Sequence, residues 1–110
     1  MNSTELFDIL QRKAATLKPE ASLTATILFE LTGDDGALWR GRVEGGRAEL
    51  AAGAPADPDI TVTAATETAV GLFQKTVNPV AAFMAGKIKV KGDVRLIGLI
   101  KDLLSGSPRD

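Results

Sequence analysis

The first apolar residues of the chain recur at the spacing of an amphipathic helix, which predicts a helix over residues 3–17. Asn2 or Ser3 is suited to cap its start, and Pro19 marks its end. One arc of this helix is apolar and is expected to face the core; it contains Leu6, Phe7, Ile9, Leu10, Ala14 and Leu17.

Strict alternation of apolar and polar residues follows and predicts β-strands. The clearest run is residues 23–31, in which every odd-numbered position is apolar. Short glycine-containing turns separate the first three strands, which we expect to form an antiparallel meander. A helix is predicted to start at Ala65 or Thr66. The other alternating runs occupy residues 38–43, 47–51, 59–64 and 87–91.

The stretch 78–104 has the clearest helix and strand boundaries in the chain. Asn78 and Pro79 form a cap and first-turn pair typical of a helix start, and Gly86 is suited to end that helix. Asp93 is suited to cap a last helix. The broad apolar face of that helix contains Leu96, Ile97, Leu99, Ile100, Leu103 and Leu104. Such a face forms either ordinary core or the lid of an apolar cavity, and the pattern alone favours the core.

Composition narrows the function classes. The 110 residues fit one domain, 1–110, and contain neither Cys nor His. These absences exclude disulfides, thiolate metal sites and cysteine nucleophiles, and they remove the commonest general base. We therefore expect no enzyme, no metal site and no cofactor. A net charge of −1 argues against nucleic-acid binding. No secretory signal or membrane-spanning run is visible, so a cytoplasmic location is expected.

Two groups of charged residues are candidate sites. The aspartates at positions 34, 35, 57 and 59 lie in predicted turns, where Asp is favoured for backbone hydrogen bonding, and we interpret them as structural. Lys87, Lys89 and Lys91 alternate along the fifth strand on one face. This row is either a solvated face that discourages edge pairing or a contact for an anionic membrane surface, and the first interpretation is favoured.

The order of the segments resembles the sterol carrier protein type 2 lipid-transfer family. The resemblance runs from about residue 5 to 104 and is most specific in NPVAAFMAGKIKVKGDVRLIGLIKDLL, with support from the Gly-x-Trp hairpin. It implies an α/β (α+β) fold, in which helices cover one face of a five-stranded, mostly antiparallel sheet. It also implies a hydrophobic tunnel for fatty acyl chains, acyl-CoA, phospholipids or sterols. The Ala, Gly and Arg usage suggests a bacterial source.

The resemblance also implies which residues line the tunnel. Its sheet wall would include Trp39 and Val43, and its helical cover would be formed by Leu96, Ile100, Leu103 and Leu104. The residues that would line its middle are Phe73, Val77, Phe83, Met84 and Ile88. Exchange of lipid would require opening of the last helix or of residues 76–78.

The function expected on this basis is non-catalytic binding, and transfer, of an apolar lipid. One alternative is an accessory or scaffold protein that presents a lipid or quinone precursor to biosynthetic enzymes. A second is an interaction domain with a filled core and no ligand. The oligomeric state is not predicted, and the polar tail, residues 105–110, is expected to be frayed.

Overall fold

The computed structural model describes residues 1–104, and the tail for which fraying is expected lies outside them. A short 3₁₀ turn, Val94–Leu96, leads into the last helix. The helices and strands, in chain order, are α1 (Ser3–Ala14), β1 (Ala25–Thr32), β2 (Ala37–Glu44), β3 (Arg47–Ala52), β4 (Ile60–Ala65), α2 (Thr66–Phe73), α3 (Pro79–Met84), β5 (Ile88–Gly92) and α4 (Ile97–Leu104).

The five strands form one sheet in the order β3-β2-β1-β4-β5. The first three strands are the predicted antiparallel meander, and β5 pairs antiparallel with β4. The central pair, β1 and β4, is parallel, and it connects the meander to the β4–β5 pair in one sheet. The mostly antiparallel five-stranded sheet predicted from the resemblance is confirmed.

Asp59 fixes the register of the parallel pair. Its carboxylate accepts the Thr26 backbone N–H at 2.8 Å, and its own N–H donates to the Thr26 carbonyl at 2.8 Å. Gly92 lies against the Asp59 carbonyl with φ +126°, and a Cβ there would collide with that oxygen. Asp59 therefore has the structural role that its place beside a turn predicts.

The helices pack on one face of the sheet. Along β1 and β2 the residues that point to this face are buried, while Arg40 and Arg42 lie exposed on the opposite face. Helix α1 packs on β3 and contacts α4, and residues of all three elements belong to the core cluster. The largest side chains that are fully enclosed are Leu6, Leu10, Val43, Ile60 and Leu96.

Helix α1 is held at its start by side-chain hydrogen bonds. Asn2 and Glu5 form a reciprocal capping box. The Asp35 carboxylate accepts the Ser3 N–H at 2.7 Å and the Ser3 hydroxyl at 2.8 Å, so it ties the helix to the β1–β2 turn. The helix ends at Ala14, and the prediction that it extends to residue 17 is wrong. A turn replaces the last part, in which the Leu17 N–H donates to the Ala14 carbonyl at 3.1 Å.

Within residues 1–104, no helix has the length and apolar character that spanning a bilayer requires. The same part of the chain brings no three His, Cys, Asp or Glu side chains together in a way that would hold a metal ion.

Candidate functional site

A cavity of about 790 Å³ lies between the helix-covered face of the sheet and the helices α2, α3 and α4. Its floor consists of two rows of side chains that cross the strands. The first row runs through the register partners Trp39, Phe29, Val62 and Val90. The second runs through Leu31, Ala64 and Ile88. Strand alternation alone turns both rows to the same face.

The helices and the α2–α3 connection form the roof. Ala69 and Leu72 come from α2. The residues that α4 contributes are Ile97, Ile100, Lys101 and Leu104. Gly71 allows the connection to fold back against α2, because a Cβ at this position would collide with the Val77 side chain. The Thr76 and Val77 N–H groups both donate to the Gly71 carbonyl, at 2.8 and 3.1 Å, and so hold Val77 on the cavity wall.

The cavity is open to solvent beside α3. Val80, Phe83 and Met84 line the cavity and are also 65%, 55% and 81% exposed. The carboxamide of Asn78 starts this helix by accepting the N–H groups of Val80 and Ala81, at 2.9 and 3.1 Å. Large apolar side chains that are both exposed and adjacent to an apolar cavity typically mark a binding site.

The described residues that line the cavity include four with polar side chains, all at the exposed rim: Lys75, Thr76, Asn78 and Lys101. The Asn78 carboxamide oxygen is engaged in the helix cap, and the Thr76 hydroxyl donates to the Gly71 carbonyl at 3.4 Å. Among residues 1–104, no residue of the wall is a carboxylate, so this part of the wall pairs no nucleophile with a carboxylate base. The arrangement is suited to surround an apolar chain and to meet a polar group at the rim.

Trp39 lies at the buried side of the cavity. It is 3% exposed and contacts two aromatic rings, with centroid distances of 5.4 Å to Phe7 and 6.4 Å to Phe29. Both pairs are tilted, and both centroid distances lie within the range of interacting aromatic pairs. The single tryptophan of the chain is therefore fixed on the wall by packing.

The model of the SCP-2 sterol transfer family matches residues 6–105. The chain belongs to this family. Hydroxysteroid dehydrogenase-like protein 2 of Rattus norvegicus is 34% identical over 82 residues, which are 74% of this chain and 16% of that protein. The chain thus spans about a sixth of the length of this relative, and the similarity does not extend to the rest of it.

Solved structures of SCP-2 proteins share the fold. The solution structure of palmitated SCP2L2 from Aedes aegypti superposes with a TM-score of 0.77 at 18% identity, covering 100% of both chains. The UbiJ-SCP2 ubiquinone synthesis protein superposes with a TM-score of 0.63 at 16% identity, covering 94% of this chain and 91% of the other. At these identities the likeness concerns the fold alone.

The structure divides the residues assigned to the tunnel from the SCP-2 resemblance into two groups. The first group lines the cavity and contains Trp39, Val77, Phe83, Met84, Ile88, Ile100 and Leu104. The second group does not line it and contains Val43, Phe73, Leu96 and Leu103. Contact of any of these residues with a ligand stays a prediction.

The second group is absent from the wall because its members pack into the core. Val43 and Leu96 are 2% and 1% exposed within the core cluster, and Phe73 packs against that cluster. Val43 and Leu103 border a separate void of only about 20 Å³, large enough for one water molecule at most. The broad apolar face of the last helix is therefore core along one side, and it covers the cavity through Ile97, Ile100 and Leu104.

The resemblance missed much of the cavity floor. Phe29, Leu31, Val62 and Ala64 line the cavity, yet the resemblance supplied no role for them. The signal was present in the alternation of the first and fourth strands, which turns these residues to one face. Alternation does not show that β1 and β4 are neighbours in the sheet, so it could not place these residues on one floor.

Proposed function

We propose that the protein binds the hydrocarbon chain of a lipid non-covalently in this cavity, without catalysis, and passes it on by exchange. The observation that supports the proposal is an apolar cavity of about 790 Å³ with an exposed mouth, in a chain of the SCP-2 family. This volume lies within the range of about 300–1,000 Å³ that is usual for small-molecule sites. The cytoplasmic location expected from the sequence is part of the proposal.

Burial of methylene groups would drive binding. Each methylene that leaves water contributes about 0.8 kcal/mol. A chain bound here would rest on the two rows of the floor and leave through the gap beside α3. Release would then require movement of α3 or of residues 76–78, whose side chains form the exposed part of the roof.

Native mass spectrometry of gently purified protein tests the proposal directly, with a co-purified lipid mass as the expected result. Trp39 provides a second measurement, because it is the only tryptophan and lines the cavity. Palmitate brominated along its chain should quench Trp39 fluorescence in a saturable manner, and unlabelled palmitate should reverse the quenching. Absence of both co-purified lipid and saturable quenching would contradict lipid binding.

We propose further that Lys87, Lys89 and Lys91 contact an anionic membrane surface during exchange. Lys89 and Lys91 are exposed on β5, and Lys87 is exposed directly before it. Helix α3, which packs against this strand, exposes Val80 and Met84. Each lysine near such a surface contributes about 1 kcal/mol. A triple Lys→Gln variant should lose binding to phosphatidylserine-containing vesicles in flotation, and a triple Lys→Arg variant should retain it. Equal binding of both variants would refute the contact.

An accessory role in quinone or lipid biosynthesis is the second candidate. It is favoured by the shared fold with the UbiJ-SCP2 ubiquinone synthesis protein. In this role the cavity would hold a lipid or quinone precursor for partner enzymes. Affinity capture of biosynthetic enzymes would support it, whereas transfer of lipid between vesicles by the isolated protein would support the first candidate.

A further inference from the structure

Two side chains separate the cavity from the small void of about 20 Å³. Phe29 on the floor and Ile100 in the roof line both spaces, and no other residue of 1–104 lines both. We call this pair the partition. Both of its members are buried and belong to the core cluster. Because the void has room for one water molecule at most, the usable space of the cavity ends at the partition.

The partition and the mouth lie at opposite ends of the cavity. The mouth is beside α3, which packs on the edge strand β5. The void is bordered by residues of β1, β2 and β3, which form the other half of the sheet. A chain that enters beside α3 and runs along the floor therefore meets the partition last.

The sheet half of the partition depends on a glycine. The ring of Phe29 contacts Trp39, which lines the cavity but not the void, at a centroid distance of 6.4 Å. The same ring lies close to Gly41, which lines the void but not the cavity. A Cβ at Gly41 would come within 3.2 Å of Cε2 of Phe29 and 3.3 Å of Cβ of Ile27. The missing side chain thus leaves room for the ring between the two spaces.

The helical half of the partition lies between two stripes of α4. Ile97 and Leu104, which share a stripe with Ile100, line the cavity. Leu99 and Leu103, on the neighbouring stripe, line the void. Residues three and four positions apart lie on one side of a helix, so this division follows from the helical spacing. Ile100 belongs to both walls because it stands at the boundary.

We infer that the partition makes the cavity blind-ended and sets the longest hydrocarbon chain that the protein can bury. The inference rests on the proposed lipid-binding function and adds the residues that determine chain length. Each methylene added before the chain end reaches the partition tightens binding by about fourfold. Each further methylene stays in water and adds little. Affinity therefore rises with chain length and then levels off.

The test is a series of saturated fatty acids from decanoate to tetracosanoate. Their Kd values are measured by competition with brominated palmitate, with Trp39 as the fluorescent reporter. For the wild-type protein, log Kd should fall with carbon number and then break to a plateau. Ile100→Ala shortens one side of the partition to a methyl group, so it should move this break to chains about two or three carbons longer.

Leu72→Ala is the matched control. Leu72 lies in the roof, is 8% exposed against 6% for Ile100, and borders the cavity but not the void. Its substitution removes as many carbons as Ile100→Ala, so the cavity is enlarged equally while the partition stays closed. The affinity of all chains should change by a similar factor, and the break should stay at the wild-type length.

Two milder variants keep the test decisive if Ile100→Ala fails to fold. Ile100→Val removes a single carbon and should move the break by about one carbon, with little change in the Tm of the delipidated protein. Phe29→Leu tests the floor side of the partition and should also move the break to longer chains.

The possible failures affect different statements. If fatty acids bind but the wild-type protein shows no break, the partition does not set chain length, and lipid binding stands. The same conclusion follows if the partition variants leave the break in place, or if Leu72→Ala moves it as far as Ile100→Ala does. If no fatty acid of the series binds the wild-type protein, lipid binding itself is refuted, and the inference falls with it.

Discussion

Ala64→Phe tests whether the cavity is open space that a ligand uses. Ala64 lies on the floor, in the row between Leu31 and Ile88, and its small side chain leaves room above it. The ring that Phe adds occupies about as much space as three or four methylenes, each contributing about 0.8 kcal/mol to burial of a bound chain. We therefore expect palmitate binding to weaken by about 3 kcal/mol, or about a hundredfold in Kd.

Stability should change in the opposite direction from binding. In an open apolar cavity the new ring becomes buried without displacing its neighbours, so the Tm of the lipid-free protein should stay the same or rise. In a packed site the same ring would cost about 1–3 kcal/mol through overpacking, and the Tm would fall. Thermal unfolding of delipidated protein distinguishes the two cases.

The matched control is Ala51→Phe. It adds the same ring in β3, at a position paired with Arg40 on the opposite face of the sheet. Palmitate affinity should be unchanged in this variant. Open, ligand-accessible space above Ala64 is refuted if Ala64→Phe binds palmitate as tightly as the wild-type protein does, or if the variant lowers the Tm of the delipidated protein.

Changes at three further sites test individual structural features. Gly71→Ala should lower the free energy of unfolding by about 1 kcal/mol and weaken palmitate binding, because the added methyl group collides with the Val77 side chain on the cavity wall. Gly98→Ala is the control: it has open space around the new methyl group and should stabilise α4. The pKa of Asp93 is lowered from 3.8 to about 2 by hydrogen bonds from the side chain and backbone N–H of Arg95. The wild-type urea midpoint should therefore fall as the pH drops from 3.8 to about 2, and Asp93→Asn should show a smaller fall over the same pH range. Asp35→Ala should cost about 1–3 kcal/mol by releasing the start of α1, and Asp35→Asn, which keeps one acceptor, should cost less.

The sequence predicts most of the local structure because short-range chemistry determines it. The Asn78-Pro79 pair and Gly86, with φ 79°, mark α3 as predicted. Alternation assigns each residue of β1 and β2 to the correct face. The end of α1 is the clear failure, because the apolar spacing continues through Leu17, which still packs against the core from a turn.

The candidate site is harder to predict, because it depends on which strands are neighbours. The parallel pairing of β1 with β4 brings Phe29 beside Val62, and alternation cannot reveal this pairing. The same limit applies to the broad apolar face of the last helix. Leu96 and Ile100 share that face, yet Leu96 is enclosed by core and Ile100 reaches the cavity. The difference arises from what packs against each residue, which the spacing of apolar residues along the helix does not specify.

The parallel pairing of β1 with β4 also has a consequence for how the chain opens. The meander is built from contacts close in sequence, whereas β4 reaches β1 across a separation such as Ile27 to Ile60. Most of the cavity roof belongs to the later part of the chain, and β5 is an edge strand that pairs with β4 in the described sheet. We therefore expect native-state amide hydrogen exchange to divide the molecule into two cooperative units. The amides of β1 and β2 should exchange only on global unfolding. Those of α2, α3 and β5 should exchange through a smaller opening, which a bound lipid would suppress.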